Sequence, residues 1–185
     1  MPADADRDAL LAQAAVAHVG LVVDGVPVVI PLLVEHQGGV LYFHGSPASR
    51  AIRHLGSGEP VCVTVTVIDG LVASRSAFYH SANYRSLVAF GRGEEVTDIG
   101  LKQRVLESMT ARLFGGRSAG DDYVAATPKE LRATRMAAVT VEVWSGKRRS
   151  GPPLGPLDGE LPAGHQAAGF WSGVIELAGE PPPAH

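Results

Sequence analysis

The stretch Ser74-Arg-Ser-Ala-Phe-Tyr-His-Ser-Ala-Asn-Tyr-Arg-Ser-Leu-Val-Ala-Phe-Gly91 lies between two strongly β-forming runs. Val61-Cys-Val-Thr-Val-Thr-Val-Ile68 precedes it, and apolar alternation resumes over Tyr84–Phe90. Period-two runs rich in β-branched residues read as strands. A plain hairpin needs only a short Gly/Asn turn. A longer connection carrying His80, Asn83 and Arg85 suggests a binding surface set on a rigid sheet.

Outward from this stretch, the pattern is of strands joined by turns. His18–Val23, Asp24-Gly25 and Val26–Glu35 form the clearest hairpin, because Asp-Gly supplies the positive φ angles of a two-residue turn. Pro31 falls inside the second strand and cannot donate to a ladder, so it should sit at an edge or where the ladder breaks. Gln37-Gly38-Gly39 turns the chain into a strand over Val40–His44. Val61–Ile68, a turn at Asp69-Gly70 and Leu71–Ser74 lead into the polar connection, and Tyr84–Val96 leads out of it. Met136–Trp144 is the last strong strand, with Val139, Val141 and Val143 alternating against Thr140 and Glu142.

Helices read as peripheral. Asp4–Val16 carries Leu10, Leu11, Ala14 and Ala15 on one face. Ser46–Gly56 reads as a short helix with Ser46 as N-cap, Pro47 at its first position and Gly56 as terminator. Asp98 caps a helix whose apolar positions Leu101, Val105, Met109 and Leu113 recur every four residues. Thr127-Pro-Lys-Glu130 is a capping box. Gly115–Ala126 reads as a loop. Six or seven strands with a few helices predict a mainly β protein, an antiparallel barrel rather than a parallel α/β sheet. Without internal repeat or linker, residues 1–178 read as one domain and 179–185 as a disordered tail.

The 185 residues leave room for a real core. Sixteen Lys and Arg against nineteen Asp and Glu give a formal charge of −3, which argues against a nucleic-acid binder working through bulk charge. The single cysteine, Cys62, excludes an internal disulfide and reads as a buried strand residue. No run reaches the ~20 apolar residues of a membrane helix, and the first residues lack a basic leader. The expectation is a cytoplasmic protein.

None of the seven histidines pairs as His-x-His or His-x-x-x-His, so no metal site is expected. His18, His36, His54, His165 and His185 read as surface or capping residues. Asp121-Asp122 reads as a solvated turn. No nucleophile elbow, Walker loop or dinucleotide fingerprint follows a strand. Two features remain. Phe43-His-Gly-Ser-Pro-Ala-Ser-Arg50 runs from a strand end to a helix start, where backbone N–H groups, the Ser46 and Ser49 hydroxyls and Arg50 suit a phosphate; the same residues equally make an ordinary capped helix with solvated arginines. Asn83, Arg85 and Ser86 suit the carbonyl-rich edge of a planar heterocycle, and equally an intersubunit or core-plugging loop.

Together these stretches resemble the flavin-nucleotide-binding branch of the pyridoxamine 5'-phosphate oxidase-like family, the branch that contains nitroimidazole-reductase-like proteins. The resemblance runs from about Leu10 to Leu177. It is carried by His18-Val-Gly-Leu-Val-Val-Asp-Gly25, Leu41-Tyr-Phe-His-Gly-Ser46 with Ala48-Ser-Arg50, Val61-Cys-Val-Thr-Val-Thr66, Asp69-Gly-Leu-Val72 with Arg75-Ser-Ala-Phe78, Asn83-Tyr-Arg-Ser86, and Ser145-Gly-Lys147 with Gly151-Pro-Pro153. It implies a six-stranded antiparallel split β-barrel of the FMN-binding type, a homodimer with FMN in clefts between subunits. Val29, Ile30, Pro31 and Leu32 would run beside the isoalloxazine ring. His44, Gly45, Ser46, Ser49 and Arg50 would hold the ribityl phosphate. Asn83, Tyr84, Arg85 and Ser86 would meet the ring edge or the dimer seam, with Trp144 and Lys147 as further contacts and His80 as either a substrate contact or a structural residue.

The implied activity is an FMN-dependent oxidoreductase acting on a small planar acceptor, a nitro-heterocycle or quinone. The alternatives are a non-catalytic flavin- or haem-binding carrier or sensor, and a reductase using a deazaflavin. No acid/base dyad is visible, which suits a cofactor that carries the chemistry itself. One departure stands out: relatives often read Ser-Arg-Lys where this chain has Ser49-Arg50-Ala51. The missing cation weakens phosphate binding by about tenfold to a hundredfold unless Arg53 or Lys147 compensates.

Overall fold

The computed structural model describes residues 4–177. They divide into two compact units, one of residues 4–65 and 87–146, the other of residues 66–86 and 147–177. Position 185 and the tail expected at 179–185 lie outside the described residues.

The first unit begins with α1 (Asp4–Gln13), three residues shorter than its apolar pattern suggests, followed by β1 (Val16–Val23) and β2 (Val26–Leu33). The two strands pair in full register from Val16↔Leu33 to Val23↔Val26. Their turn has φ of 52° at Asp24 and 77° at Gly25, the left-handed pair that the Asp-Gly signal requires. Ala17, Val19 and Leu21 point into the core while His18 and Val22 point out. β2 is the terminal strand of its sheet, with β1 as its neighbour, which accommodates Pro27 and Pro31. The strand expected over Val26–Glu35 breaks at buried Val34, and Glu35–Gln37 form a separate strand, β3.

β4 (Val40–Gly45) lies antiparallel between β3 and the first part of β7 (Arg135–Arg149). α2 (Arg50–Leu55) begins later than predicted. Ser49 is its N-cap, its hydroxyl accepting from Ile52 N, while Ser46 closes a preceding turn in which Ser49 N donates to Ser46 O. Gly56 does end the helix, but with φ of −88°; a Cβ there would lie 3.3 Å from Glu95 Cβ, so close packing rather than left-handed geometry explains the glycine.

β5 (Ser57–Ala73) and β6 (Ser81–Glu95) contribute Val61, Val63, Val65, Leu87 and Ala89 to this core. The alternation that buries these valines turns Cys62 the other way. It is half-buried, and desolvation pushes its thiol pKa up. At Gly91 and Gly93 a Cβ would lie 2.1 Å from Thr140 O and 1.9 Å from Leu55 O, so no larger residue fits.

α3 (Ile99–Leu113) is capped by Asp98, whose Oδ1 accepts from Leu101 N at 2.5 Å; it buries Val105 and Met109, and Val105 clusters with Val96, Met136 and Ala138. α4 (Pro128–Ala133) has the full Thr127/Glu130 capping box. Buried Lys102 donates to Thr134 O at 2.7 Å and Leu131 O at 3.4 Å, closing the end of α4. Glu35, 3% exposed, accepts from Arg112 Nε at 2.9 Å and Ser108 Oγ at 2.7 Å, and Arg112 also donates to the carbonyls of Ala14 and Val34. The arginine thereby ties β3 and the end of α1 to α3.

The second unit corrects the sequence reading at one point. Asp69-Gly70 is not a turn: β5 runs unbroken through it, and residues 70–73 pair with β8 (Gly173–Glu176). Gly70 is needed because a Cβ would lie 2.9 Å from Val174 Cγ1 and 3.0 Å from Ile175 O. The polar connection narrows to Ser74–His80, with a 3-10 turn at Ala77–Tyr79, so Asn83–Ser86 stand in strand β6 rather than in a loop. With β3 and β8 the described residues form eight strands, where the sequence reading expects six or seven.

The segment after β7 is organised around two side chains. Asp158 accepts from Ser74 Oγ, Arg75 N and Gly155 N, each at 2.8 Å. The Arg75 guanidinium donates to the carbonyls of Phe170 at 2.7 Å, Leu157 at 2.9 Å and Gly159 at 3.0 Å. Backbone carbonyls of an irregular loop need such donors.

Candidate functional site

In the first unit, β4 carries His44 and Gly45 to the start of the turn that holds Ser46 and Ser49, and α2 presents Arg50. His44 Nδ1 is buried without a hydrogen-bond partner, and burial pushes the imidazole pKa below its usual value. A neutral ring with an unmet polar atom therefore stands at the end of β4, where the chain enters this turn. Gly45 packs tightly on α2, since a Cβ would lie 3.0 Å from Ile52 Cγ1. Ser46 Oγ accepts from Ala48 N and Ser49 Oγ from Ile52 N, so both hydroxyls keep their protons available to donate outward. Arg50 and Arg53 are exposed, and neither pairs with any described residue. Ala51 faces the core with Ile52 and Leu55, all 5% exposed or less. A lysine there would have to bend out of the packed face, whereas Arg53 already stands in solvent.

Val29, Ile30, Pro31 and Leu32 lie on β2, which also touches β4 within this unit. Val29 is 66% exposed, and the strand's outer face, which it shares with Pro27 and Pro31, continues to Leu33, 43% exposed. Trp144 is half-buried on β7 with the Arg7 guanidinium 5.5 Å from its ring centroid. The ring therefore already carries a cation on one face.

In the second unit the side chains expected at a ring edge are engaged with their own strand neighbours. Asn83, 8% exposed, donates from Nδ2 to Gly151 O at 3.1 Å and accepts at Oδ1 from Arg149 at 2.6 Å. Arg85 donates to Asp69 from Nη2 at 2.5 Å and from Nε at 3.0 Å, and these hydrogen bonds hold the Asp69 carboxyl below its usual range. Ser86 Oγ donates to Lys147 O at 3.5 Å, and Lys147 Nζ lies 5.9 Å from the Tyr84 ring centroid. His80 is exposed, with Nδ1 at 3.2 Å from Ala77 O.

Sequence reasoning missed Asp158, Arg75, Glu35 and Arg112. Each acts across 70 or more residues of chain, and no local motif announces them. Among the described residues no group of three or more His, Cys, Asp or Glu is placed to hold a metal ion. No described helix is long and apolar enough to cross a membrane.

Comparison with known proteins places this geometry. The family profile described as pyridoxamine 5'-phosphate oxidase matches residues 3–148. A flavocytochrome from Azotobacter vinelandii is 32% identical over 99% of this chain and 81% of its own, with a TM-score of 0.80. A FAD and haem binding protein from Mycobacterium smegmatis is 35% identical over 100% of this chain and 88% of its own, also with a TM-score of 0.80. A protein from Bacteroides thetaiotaomicron named for 5-nitroimidazole antibiotic resistance shares the fold at 20% identity and a TM-score of 0.64, over 79% of this chain and 84% of its own. No curated protein matches the sequence. The mainly antiparallel sheet with few helices is that of the split-barrel structures.

Proposed function

Because the chain belongs to the pyridoxamine 5'-phosphate oxidase family, we propose that it binds a flavin nucleotide and uses it as an oxidoreductase on a small planar acceptor of the nitro-heterocycle or quinone type. The observation that carries the reading is the His44–Arg50 turn. It combines a buried, unmet imidazole nitrogen, two serine hydroxyls and the unpaired cation of Arg50, with Arg53 one turn on. A phosphate supplies acceptors for the two hydroxyls and the guanidinium groups.

A bound flavin would supply the hydride or electron transfer. The chain's part is to hold and orient it. Arg50 and Arg53 neutralise the phosphate, while Ser46 and Ser49 fix its oxygens. The exposed apolar face of β2 gives the ring a dry wall at Val29 and, in this reading, meets a second copy of the chain. The resemblance in sequence names FMN, whereas the Mycobacterium smegmatis neighbour is named for FAD. Both flavins carry the ring, ribityl chain and first phosphate to which the turn is suited.

The mass and visible spectrum of the small molecule that copurifies with the protein test the reading. An oxidised flavin spectrum with the mass of FMN or FAD supports it. Colourless protein that leaves flavin fluorescence unchanged on titration with either one contradicts it.

A second reading adds a haem to the flavin. What favours it is that two solved proteins that span nearly this whole chain are named as a flavocytochrome and as a FAD and haem binding protein. The family profile, by contrast, stops at residue 148. Residues 149–177, beyond that profile, make the Asp158 and Arg75 contacts of the second unit. Titration with haemin tests this reading through the appearance of a Soret band.

A further inference from the structure

We propose that the second unit holds a binding site for a small zwitterion of the aliphatic α-amino acid class, in the hollow between the Arg75 side chain and the loop that follows Asp158. The hollow has a volume of about 540 Å³ and is lined by Arg75, Asp158, Gly159, Glu160, Leu161 and Ala168. Small-molecule sites run from roughly 300 to 1,000 Å³. All six residues belong to the second unit, whereas the His44–Arg50 turn belongs to the first. The two sites therefore stand or fall separately.

The cation of this hollow is fixed in advance. A guanidinium carries five N–H donors. Arg75 commits three of them, Nε to Phe170 O at 2.7 Å and Nη1 to Leu157 O at 2.9 Å and Gly159 O at 3.0 Å. No described residue accepts from its Nη2. The loop that supplies these carbonyls is shaped by its own turns. His165 N donates to Pro162 O at 3.1 Å, Ala168 N to His165 O at 2.9 Å and Phe170 N to Ala167 O at 3.1 Å, and the Ala167 side chain is buried. A donor held this way loses little freedom when a ligand arrives.

The charges choose the ligand. Asp158 already accepts from Ser74 Oγ, Arg75 N and Gly155 N, using both of its carboxylate oxygens. Glu160 is exposed and hydrogen-bonds to no described residue, Arg75 included. The hollow thus offers one unengaged face of a guanidinium and one unengaged carboxylate, of opposite sign and not paired with each other. A simple anion would meet two carboxylates there, and a simple cation would meet Arg75. A molecule with both signs a few bonds apart satisfies both groups. Its carboxylate accepts from Arg75 Nη2, and its ammonium donates to Glu160. Half-buried Leu161 and the Ala168 methyl add an apolar wall, which suits an aliphatic side chain.

Calorimetric titration of the full-length protein with L-leucine, L-leucinamide and N-acetyl-L-leucine tests this, with backbone amide chemical shifts from NMR to locate the ligand. The expected result is saturable L-leucine binding that shifts the amides of Gly159, Glu160, Leu161 and Ala168. The two analogues, each lacking one of the charges, should bind at least about tenfold more weakly. E160Q alters only an exposed, unpaired carboxylate, so its circular dichroism should match the wild type while its L-leucine affinity falls by about tenfold or more. Absence of L-leucine binding up to about 10 mM, shifts confined to other residues, or equal affinity in E160Q overturns the site. An analogue that binds as tightly as L-leucine overturns the zwitterion class.

Discussion

Arg85 grips the Asp69 carboxylate with two nitrogens, Nη2 at 2.5 Å from Oδ1 and Nε at 3.0 Å from Oδ2, tying strand β6 to strand β5 within the second unit. The pair changes the meaning of both residues. Asp69 is not a turn former, and Arg85 meets any cofactor with its guanidinium already engaged.

The grip predicts a pH dependence. The Asp69 pKa is lowered in the folded protein, chiefly by hydrogen bonding to Arg85. Its stabilisation is therefore fully present above the unfolded carboxyl pKa of about 3.9 and is lost as pH falls through the lowered folded value. Both side chains are partly solvated, so D69N should cost no more than about 1 kcal/mol in urea unfolding at neutral pH. The difference from wild type should vanish in strong acid.

Glu35 and Arg112 should matter far more. Their pair is mostly shielded from water, and Arg112 also serves backbone carbonyls. E35Q or R112M should destabilise the protein by about 3 kcal/mol, since removing one partner strands the other. Urea midpoints for the two variants and their double mutant check this, and the double should cost less than the two single effects added together.

Gly93 tests close packing. A methyl group there collides with Leu55 O, whereas one at Gly56 meets Glu95 at 3.3 Å. G93A should lower stability by about 2–3 kcal/mol or prevent folding. G56A should change it by less than about 1 kcal/mol. Thermal melts of the two variants side by side decide it.

His44 gives a second titration of opposite sense to a paired histidine. Burial lowers its folded pKa, so the unfolded chain takes up the proton first. Stability should fall as pH drops below about 6.5 and recover above it. H44L should flatten that part of the stability profile.

These relationships also explain how much was legible in sequence. The Asp24-Gly25 hairpin, the Asp98 cap and the Thr127/Glu130 box all read correctly because each is decided within four residues. Asp69-Gly70 carries the same local signal as Asp24-Gly25, yet β8 packs on Gly70 and Arg85 holds Asp69, so tertiary contacts override it. Ser46 and Ser49 each fit an N-cap, and a six-residue helix is too short for periodicity to choose between them. The motif at Phe43–Arg50 was readable as a whole, whereas its unmet His44 nitrogen was not, because burial comes from residues distant in sequence. Asn83 reads in the sequence as part of a polar connection, whereas it stands in β6 and its partners Arg149 and Gly151 follow more than 60 residues later.

The most direct test of the central claim is flavin titration of wild-type protein and R50A, followed by fluorescence. Arg50 is exposed and unpaired, so its loss should leave the fold intact while weakening flavin binding by about tenfold to a hundredfold, the value of one charge-assisted phosphate hydrogen bond. Equal affinity for wild type and R50A would contradict the phosphate assignment, and no binding by wild-type protein would contradict the flavin reading as a whole.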